Sequence, residues 1–427
     1  MADDLDRRTL IGAAMLGGVA AGRPAAATIQ GGPNGPSDEA YWSTIAGQYD
    51  ALRAPIQLEN GNWGMMAKPV AAAYARHLDR VNRDTSWYSR RGFPADVERI
   101  RARAAAVLGV EASEIAFTRG ATEALQLLIG GYNRLRPGDQ VLAADLDYDS
   151  MLTAMRWLKT RRGVDLVSIA LPEGEVTHQG LIDVYQAALK AHPKVRMMLL
   201  TQVGHRTGLV LPAREIVAMA RARGVDVIVD AAHAWGQIAD RPGDQGFDFA
   251  GFNAHKWIGA PLGIGVLYIR KGRIGDIDPF MGNDEAPDPD DIRNRVHTGT
   301  TSLATTLALE DALAFHEAIG QGPKALRLRY LRDRWAEPLR DERRLQILTP
   351  ADPRLAAAIT SFRVRGKVTP AENEALAKRL LEGFGIFTVA RTGVAGGACV
   401  RVTPGQFTRP AEVDALVAAL KVIVAEA

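Results

Sequence analysis

The 427-residue chain has one cysteine, Cys399, which excludes an internal disulfide and any multi-cysteine metal site. Its eight histidines show no metal-binding spacing such as HExxH, so no metal is expected. The 52 basic and 49 acidic residues are spread along the chain without a basic block or an interleaved aromatic stripe. Nucleic acid is therefore not an expected partner. No apolar run is long enough for a lasting membrane anchor. What remains is ordinary globular material, 47% hydrophobic and 24% charged, and enough chain for two packed units.

The N-terminus stands apart. "DRRTLIGAAMLGGVAAGRPAAA" pairs Arg7 and Arg8 with a weakly apolar stretch over residues 10–22, and Ala25-Ala26-Ala27 offers a small-residue cleavage site before Thr28. That order matches a twin-arginine export signal over 1–27 and a periplasmic location; a disordered N-terminus that happens to hold two arginines is the plainer alternative. Residues 31–37, "GGPNGPS", read as a flexible linker within an arm spanning 28–80.

From about residue 114 the pattern alternates. β-rich runs occur at 114–118, 140–145, 165–170, 195–203, 225–231, 247–253 and 263–269, with helical stretches between most of them. Nearly continuous apolar strands alternating with helices predict an α/β large domain (81–300) built on a seven-stranded, mostly parallel sheet. Ligands of such sheets bind beyond the strand C-termini. Residues 301–427 change to a smaller α+β unit: the helical "TSLATTLALEDALAFHEAI", short strand-like runs such as "ACVRVTP", and a final helix.

The strand ends carry consistent chemistry. After "EIAFT", Gly120-Ala121-Thr122 opens a helix, where backbone N–H groups and a hydroxyl suit a phosphate; a plain Thr-capped loop has the same sequence. Asp230 ends a mostly apolar strand, which calls for a cationic partner or several donors, although Asp there is also a common helix cap. Asn253-Ala254-His255-Lys256 then sets a lysine between an apolar run and the glycine loop of "GAPLGIG". Burying an ammonium is costly unless it is paired or neutralised. A phosphate cradle, a strand-end Asp and such a lysine are together the parts of a pyridoxal phosphate site, with Lys256 neutralised by covalent attachment to the cofactor aldehyde.

"TRGATEA", "VDAAHAWGQ", "NAHKWIGAPLGIGVLY" and "HTGTTSLATTLALEDAL" resemble, in order and spacing, the fold-type I, class V aminotransferase family, nearest its isopenicillin N epimerase-like and cysteine desulfurase-like branch. The resemblance implies that Lys256 is catalytic and carries the cofactor, that Asp230 holds the pyridine nitrogen, and that Tyr148 stacks on the ring. It further implies that Ala121, Thr122, Asn253 and His255 hold the phosphate and that His205 and His233 face the phenolic oxygen. Thr300 in "TGTTS" resembles a residue that reaches the neighbouring subunit's phosphate, which implies a homodimer with composite sites. Arg401 falls where the family binds the substrate carboxylate, against the alternative of a strand-edge surface charge. Asn60 would line the substrate entrance.

A desulfurase needs a nucleophilic cysteine shortly after its "RTG" segment, and 391–396, "RTGVAG", has none. Cys399 reads as a packed small hydrophobe. The reaction expected is bond breaking at the α-carbon of an amino acid or of an amino-acid moiety of a peptide: epimerase, lyase or transaminase chemistry. Exported members of the resembled branch are few, and the best known tailors a peptide siderophore of the pyoverdine type in the periplasm, which makes that a candidate substrate class. A non-catalytic cofactor-binding protein and a sugar aminotransferase are the competing readings; the latter would have no need of Arg401.

Overall fold

The computed structural model describes residues 29, 31–281 and 288–426; the leader expected over 1–27 lies outside the described residues. Seven strands, β1 (Ile115–Thr118), β2 (Gln140–Ala144), β3 (Asp165–Ile169), β4 (Val195–Thr201), β5 (Asp226–Asp230), β6 (Phe249–Asn253) and β7 (Gly265–Ile269), form one sheet. Its order is β1-β7-β6-β5-β4-β2-β3. Pairs among β2 to β6 are parallel, and only β7 runs antiparallel to both its neighbours.

The strands are apolar throughout because both faces are covered. Val141, Ala143, Met197, Leu199 and Ile228 meet one apolar layer with Leu125, Leu128 and Met155, while Leu142, Met198, Leu200, Val227 and Val229 belong to the other with Leu181, Tyr185 and Ile216. This alternation with period two, apolar on both sides, gives the continuous runs seen in the sequence.

A second sheet holds β8 (Leu345–Ile347), β9 (Thr360–Val364), β10 (Val389–Arg391) and β11 (Cys399–Val402), all antiparallel in the order β10-β11-β9-β8. Leu331, Trp335, Phe362, Leu380, Val402, Leu416 and Ile423 fill the space between it and its helices. One of these, Pro370–Phe384, starts with a Thr369/Glu372 capping box. The long helix Leu303–Ile319, buried along most of its length, packs chiefly against the helices Lys68–Arg91 and Phe93–Leu108.

Within the stretch read as arm and linker lie the helix Glu39–Ala46 and the start of Lys68–Arg91, and between them a strap that shapes the site. Ile56 and Gln57 pair in parallel with Ile386 and Phe387 at the small sheet's side, and Glu59 bridges to Thr403. The strap then crosses to the large sheet, where the Gly64 N–H donates to the His255 carbonyl at 2.8 Å. A Cβ on Gly64 would lie 1.7 Å from the Lys256 carbonyl oxygen, so only glycine permits this crossing.

Candidate active site

The ends of β1, β5 and β6 and the strap enclose a cavity of about 800 Å³, lined by Thr122, Tyr148, His205, Asp230, His233, Asn253, His255, Lys256 and Arg401 among others. Nine of the sequence-derived residues thus meet at the predicted sheet edge, and Ala121 lines the same cavity.

Lys256 Nζ lies 2.8 Å from His233 Nε2, and the Trp257 indole nitrogen donates to His233 Nδ1 at 3.3 Å. An indole N–H only donates, so Nδ1 carries no proton and the neutral ring keeps its proton on Nε2. That proton points at Lys256, which must accept it through an amine lone pair. The electrostatics agree. Burial pushes Lys256 down to about 8, with Arg401 and Arg391 adding to the shift and Asp230 opposing it. Burial, then the Lys256 charge, holds His233 well below its ordinary value. Lys256 thus becomes the amine that this pairing requires on passing about pH 8, well below the ordinary lysine range.

Asp230 is buried at the C-terminal end of β5 and accepts one hydrogen bond, from the Ala232 N–H at 3.0 Å. It forms no ion pair among the described residues. Burial raises its carboxyl above the ordinary range, against the Ala232 N–H and the Lys256 charge. A buried carboxylate with so little compensation is suited to a cation delivered by a ligand.

At the opposite end, the Asn253 side-chain oxygen accepts the Ala121 N–H at 2.7 Å. The Ala121 amide, expected at a phosphate, is therefore already used to fix the helix start. The donors left there are the Asn253 Nδ2, the exposed Thr122 hydroxyl and the next backbone N–H groups of the helix Ala121–Gly131. His255 donates from Nδ1 to the Ile264 carbonyl at 3.1 Å, which leaves Nε2 for the cavity. Burial lowers its pKa, with that hydrogen bond opposing. A Cβ on Gly120 would come within 3.1 Å of Asn253 Oδ1 and 3.3 Å of the His255 ring, so glycine keeps this cradle open. An amine, a buried carboxylate and an anion cradle fit a phosphorylated pyridine aldehyde.

The Tyr148 ring stands edge-on to His205, centroids 5.3 Å apart, and His205 Nδ1 is buried without a hydrogen-bond partner among the described residues. Arg401 is not a surface charge. It is 1% exposed, its Nε and Nη2 both donate to the Glu59 carboxylate, and its Nη1 donates to the His205 carbonyl at 2.7 Å.

Two expectations are corrected. Asn60 does not line the cavity: its side chain donates to the Thr403 carbonyl at 2.9 Å and its N–H donates to the Thr403 hydroxyl at 2.7 Å, so Gly61 and Asn62 face the cavity instead. Ala121 contributes position rather than a free donor. Thr300 lines a separate cavity of about 400 Å³ with Ser89, Phe93 and Arg119, and Arg119 lines both. Cys399 is buried outside the cavity and its thiol is pushed up to about 11 by burial. The sequence reading missed Glu59, Arg391 and Trp257. Arg391 and Trp257 lie in "RTGVAG" and "NAHKWIGAPLGIGVLY", and Glu59 is the unexplained charge beside Asn60 in "QLENGNWG"; those positions were the available signal.

A profile of the family described as Aminotransferase class-V matches residues 68–411. The isopenicillin N epimerase of Streptomyces clavuligerus is 27% identical over 410 residues, covering 91% of this chain and 99% of that protein. A cysteine desulfurase of Dickeya dadantii is 29% identical over 273 residues, covering 60% of this chain and 65% of its own. Among solved structures, a cystine C–S lyase variant with glycine covalently linked to its PLP cofactor superposes with a TM-score of 0.75 at 20% identity, over 88% of this chain and 98% of that one.

Proposed function

The chain belongs to the class V aminotransferase family, and from that premise we propose that it is a pyridoxal phosphate enzyme breaking a bond at the α-carbon of an amino acid or of an amino-acid moiety of a peptide. Bound in the cavity, the cofactor supplies an electron-poor ring that accepts the electron pair released at the α-carbon. Lys256 carries the cofactor and, with its amine near pH 8, moves the proton at the α-carbon. Asp230 would hold the pyridine nitrogen in its cationic form. Thr122, Asn253 Nδ2, His255 and the helix start would hold the phosphate, Tyr148 would stack on the ring, and His205 and His233 would face its phenolic oxygen.

The observation that carries this reading is the 2.8 Å contact between His233 Nε2 and the buried Lys256 Nζ, in a cavity shared with Asp230, which has no ion pair among the described residues. Borohydride treatment of the protein as isolated, followed by peptide mapping, tests it. Reduced cofactor is expected on the peptide containing "NAHKWIGAPLG"; its appearance on another lysine would overturn the assignment.

Within that chemistry, epimerase-like or lyase-like reaction is favoured over persulfide formation, because residues 391–396 offer no cysteine and the Cys399 thiol is buried. The twin-arginine order at Arg7-Arg8 supports export and a periplasmic substrate, with a peptide siderophore as the candidate class. Arg7→Lys with Arg8→Lys should stop mature protein reaching the periplasm, and unchanged export would remove that reading. A homodimer with composite sites is supported by Thr300 lying outside its own chain's Lys256 cavity and by the exposed apolar side chains of Trp87, Leu262 and Leu78. An active monomer in sedimentation would overturn it.

A further inference from the structure

Two guanidinium groups and one carboxylate meet where the strap passes the small sheet. Glu59 takes Nε and Nη2 of Arg401, accepts from the Thr403 hydroxyl at 3.2 Å, and lies 3.5 Å from Arg391 Nη2. Arg401 and Glu59 are buried, with side chains 2% and 6% accessible, whereas Arg391 is partly exposed at 31%. Arg401 is further held by the His205 carbonyl, and Gly61 sits so close that a Cβ there would be 3.1 Å from its Cζ. Arg391 has no such set. Among the described residues its Nε is buried without a hydrogen-bond partner and its one ion pair is the long contact to a Glu59 already engaged by Arg401, and it lines the Lys256 cavity. One carboxylate shared by two arginines leaves one positive charge uncompensated, and that charge faces the cavity.

We infer that Glu59 is a specificity-determining residue: a built-in carboxylate that occupies the Nε/Nη2 edge of Arg401, so that the carboxylate of an incoming substrate is received chiefly by Arg391. The inference rests on the amino-acid reading of the site above and deepens it. A carboxylate that enters beside Glu59 meets like charge, so the site holds simple carboxylates weakly and selects substrates that make further contacts along the cavity. Such an arrangement discriminates by repulsion as well as attraction. Replacing Glu59 by its neutral isostere frees one edge of Arg401 and removes the repulsion. For charges several ångströms apart at a site of intermediate dielectric, that is worth about tenfold or more in affinity for an anion.

The test is a calorimetric titration of the holoenzyme with succinate, a dicarboxylate that has no amine, at fixed ionic strength set with chloride. Glu59→Gln is expected to bind succinate about tenfold or more tightly than wild type. Glu59→Asp, which keeps the charge, should restore the weak wild-type affinity, an outcome a purely structural role would not produce. Arg391→Gln should weaken binding about tenfold, both alone and in the Glu59→Gln background. Equal or weaker succinate binding by Glu59→Gln, no loss in Arg391→Gln, or no measurable binding by any variant would overturn the inference. Should Glu59→Gln not fold, the contrast between Glu59→Asp and Arg391→Gln still decides whether Arg391 receives the anion. Bound cofactor is read separately from the visible absorption of each sample. A colourless wild type would sink the cofactor assignment while leaving the succinate comparison between guanidinium variants intact.

Discussion

Trp257→Phe isolates what the His233 tautomer does. The indole N–H to His233 Nδ1, 3.3 Å long and buried, is the feature that keeps the imidazole proton on Nε2 and aimed at Lys256. Phenylalanine keeps an apolar ring in a position that is 4% exposed but removes the donor. Two effects follow. A buried acceptor left without its donor costs about 1–3 kcal/mol of stability. The imidazole also becomes free to turn its lone pair toward Lys256, which then favours the ammonium. The hydrogen bond lost to the neutral amine is worth about 0.5–1.5 kcal/mol. At about 1.4 kcal/mol per pH unit, the Lys256 midpoint should move up from about 8 by on the order of one pH unit. The assay is the rate at which pyridoxal phosphate recombines with apoprotein as a function of pH, since only the unprotonated amine adds to an aldehyde. Wild type should reach its plateau above a midpoint near 8, and Trp257→Phe should shift that midpoint upward. A wild-type midpoint near 10.5, the ordinary lysine value, would refute the neutral pairing. A variant that loses stability with an unmoved midpoint would refute the tautomer argument.

Lys324 is buried, donates to the Trp257 carbonyl, and is pushed down to about 7 by burial. Because Lys256 and Lys324 both titrate lower folded than unfolded, the unfolded chain binds more protons between about 7 and 10.5, so apoprotein stability rises with pH through that window. Lys324→Met should reduce the rise by on the order of 3 kcal/mol, measured by urea unfolding at pH 7 and 9.5; an equal rise in both proteins contradicts it. Asp230→Asn removes a buried charge that has no ion pair, so the apoprotein should melt no lower than wild type while turnover falls about 10²–10³-fold; a lower apoprotein melting temperature or retained turnover would count against its assigned role. Gly64→Ala should cost about 1–3 kcal/mol or more, because the atom it meets is backbone and cannot rotate away. The same change should reduce cofactor retained through gel filtration, and unaltered melting and retention would mean that the strap does not cross Lys256 as described.

The parts of this protein that the sequence announces are those whose reason lies within a few residues. β4 and β5 read as strands because each is apolar on both faces, and that pattern needs no knowledge of what covers them. Asp230 and Lys256 stand out because a charge at the end of an apolar run is costly without a purpose, which is a local statement too. Glu59 and Arg401 are different: 342 positions separate them, and nothing in "QLENGNWG" says which base will neutralise its acid. The same limit explains Asn60 and Ala121. Both belong to segments correctly brought to the site, but whether an amide faces the cavity or closes a loop is decided by Thr403 and Asn253, which arrive from elsewhere in the chain. Residue type locates chemistry along strands that a local pattern can place. The occupancy of each donor depends on chain closure, so specificity is the property of this site that its sequence least reveals.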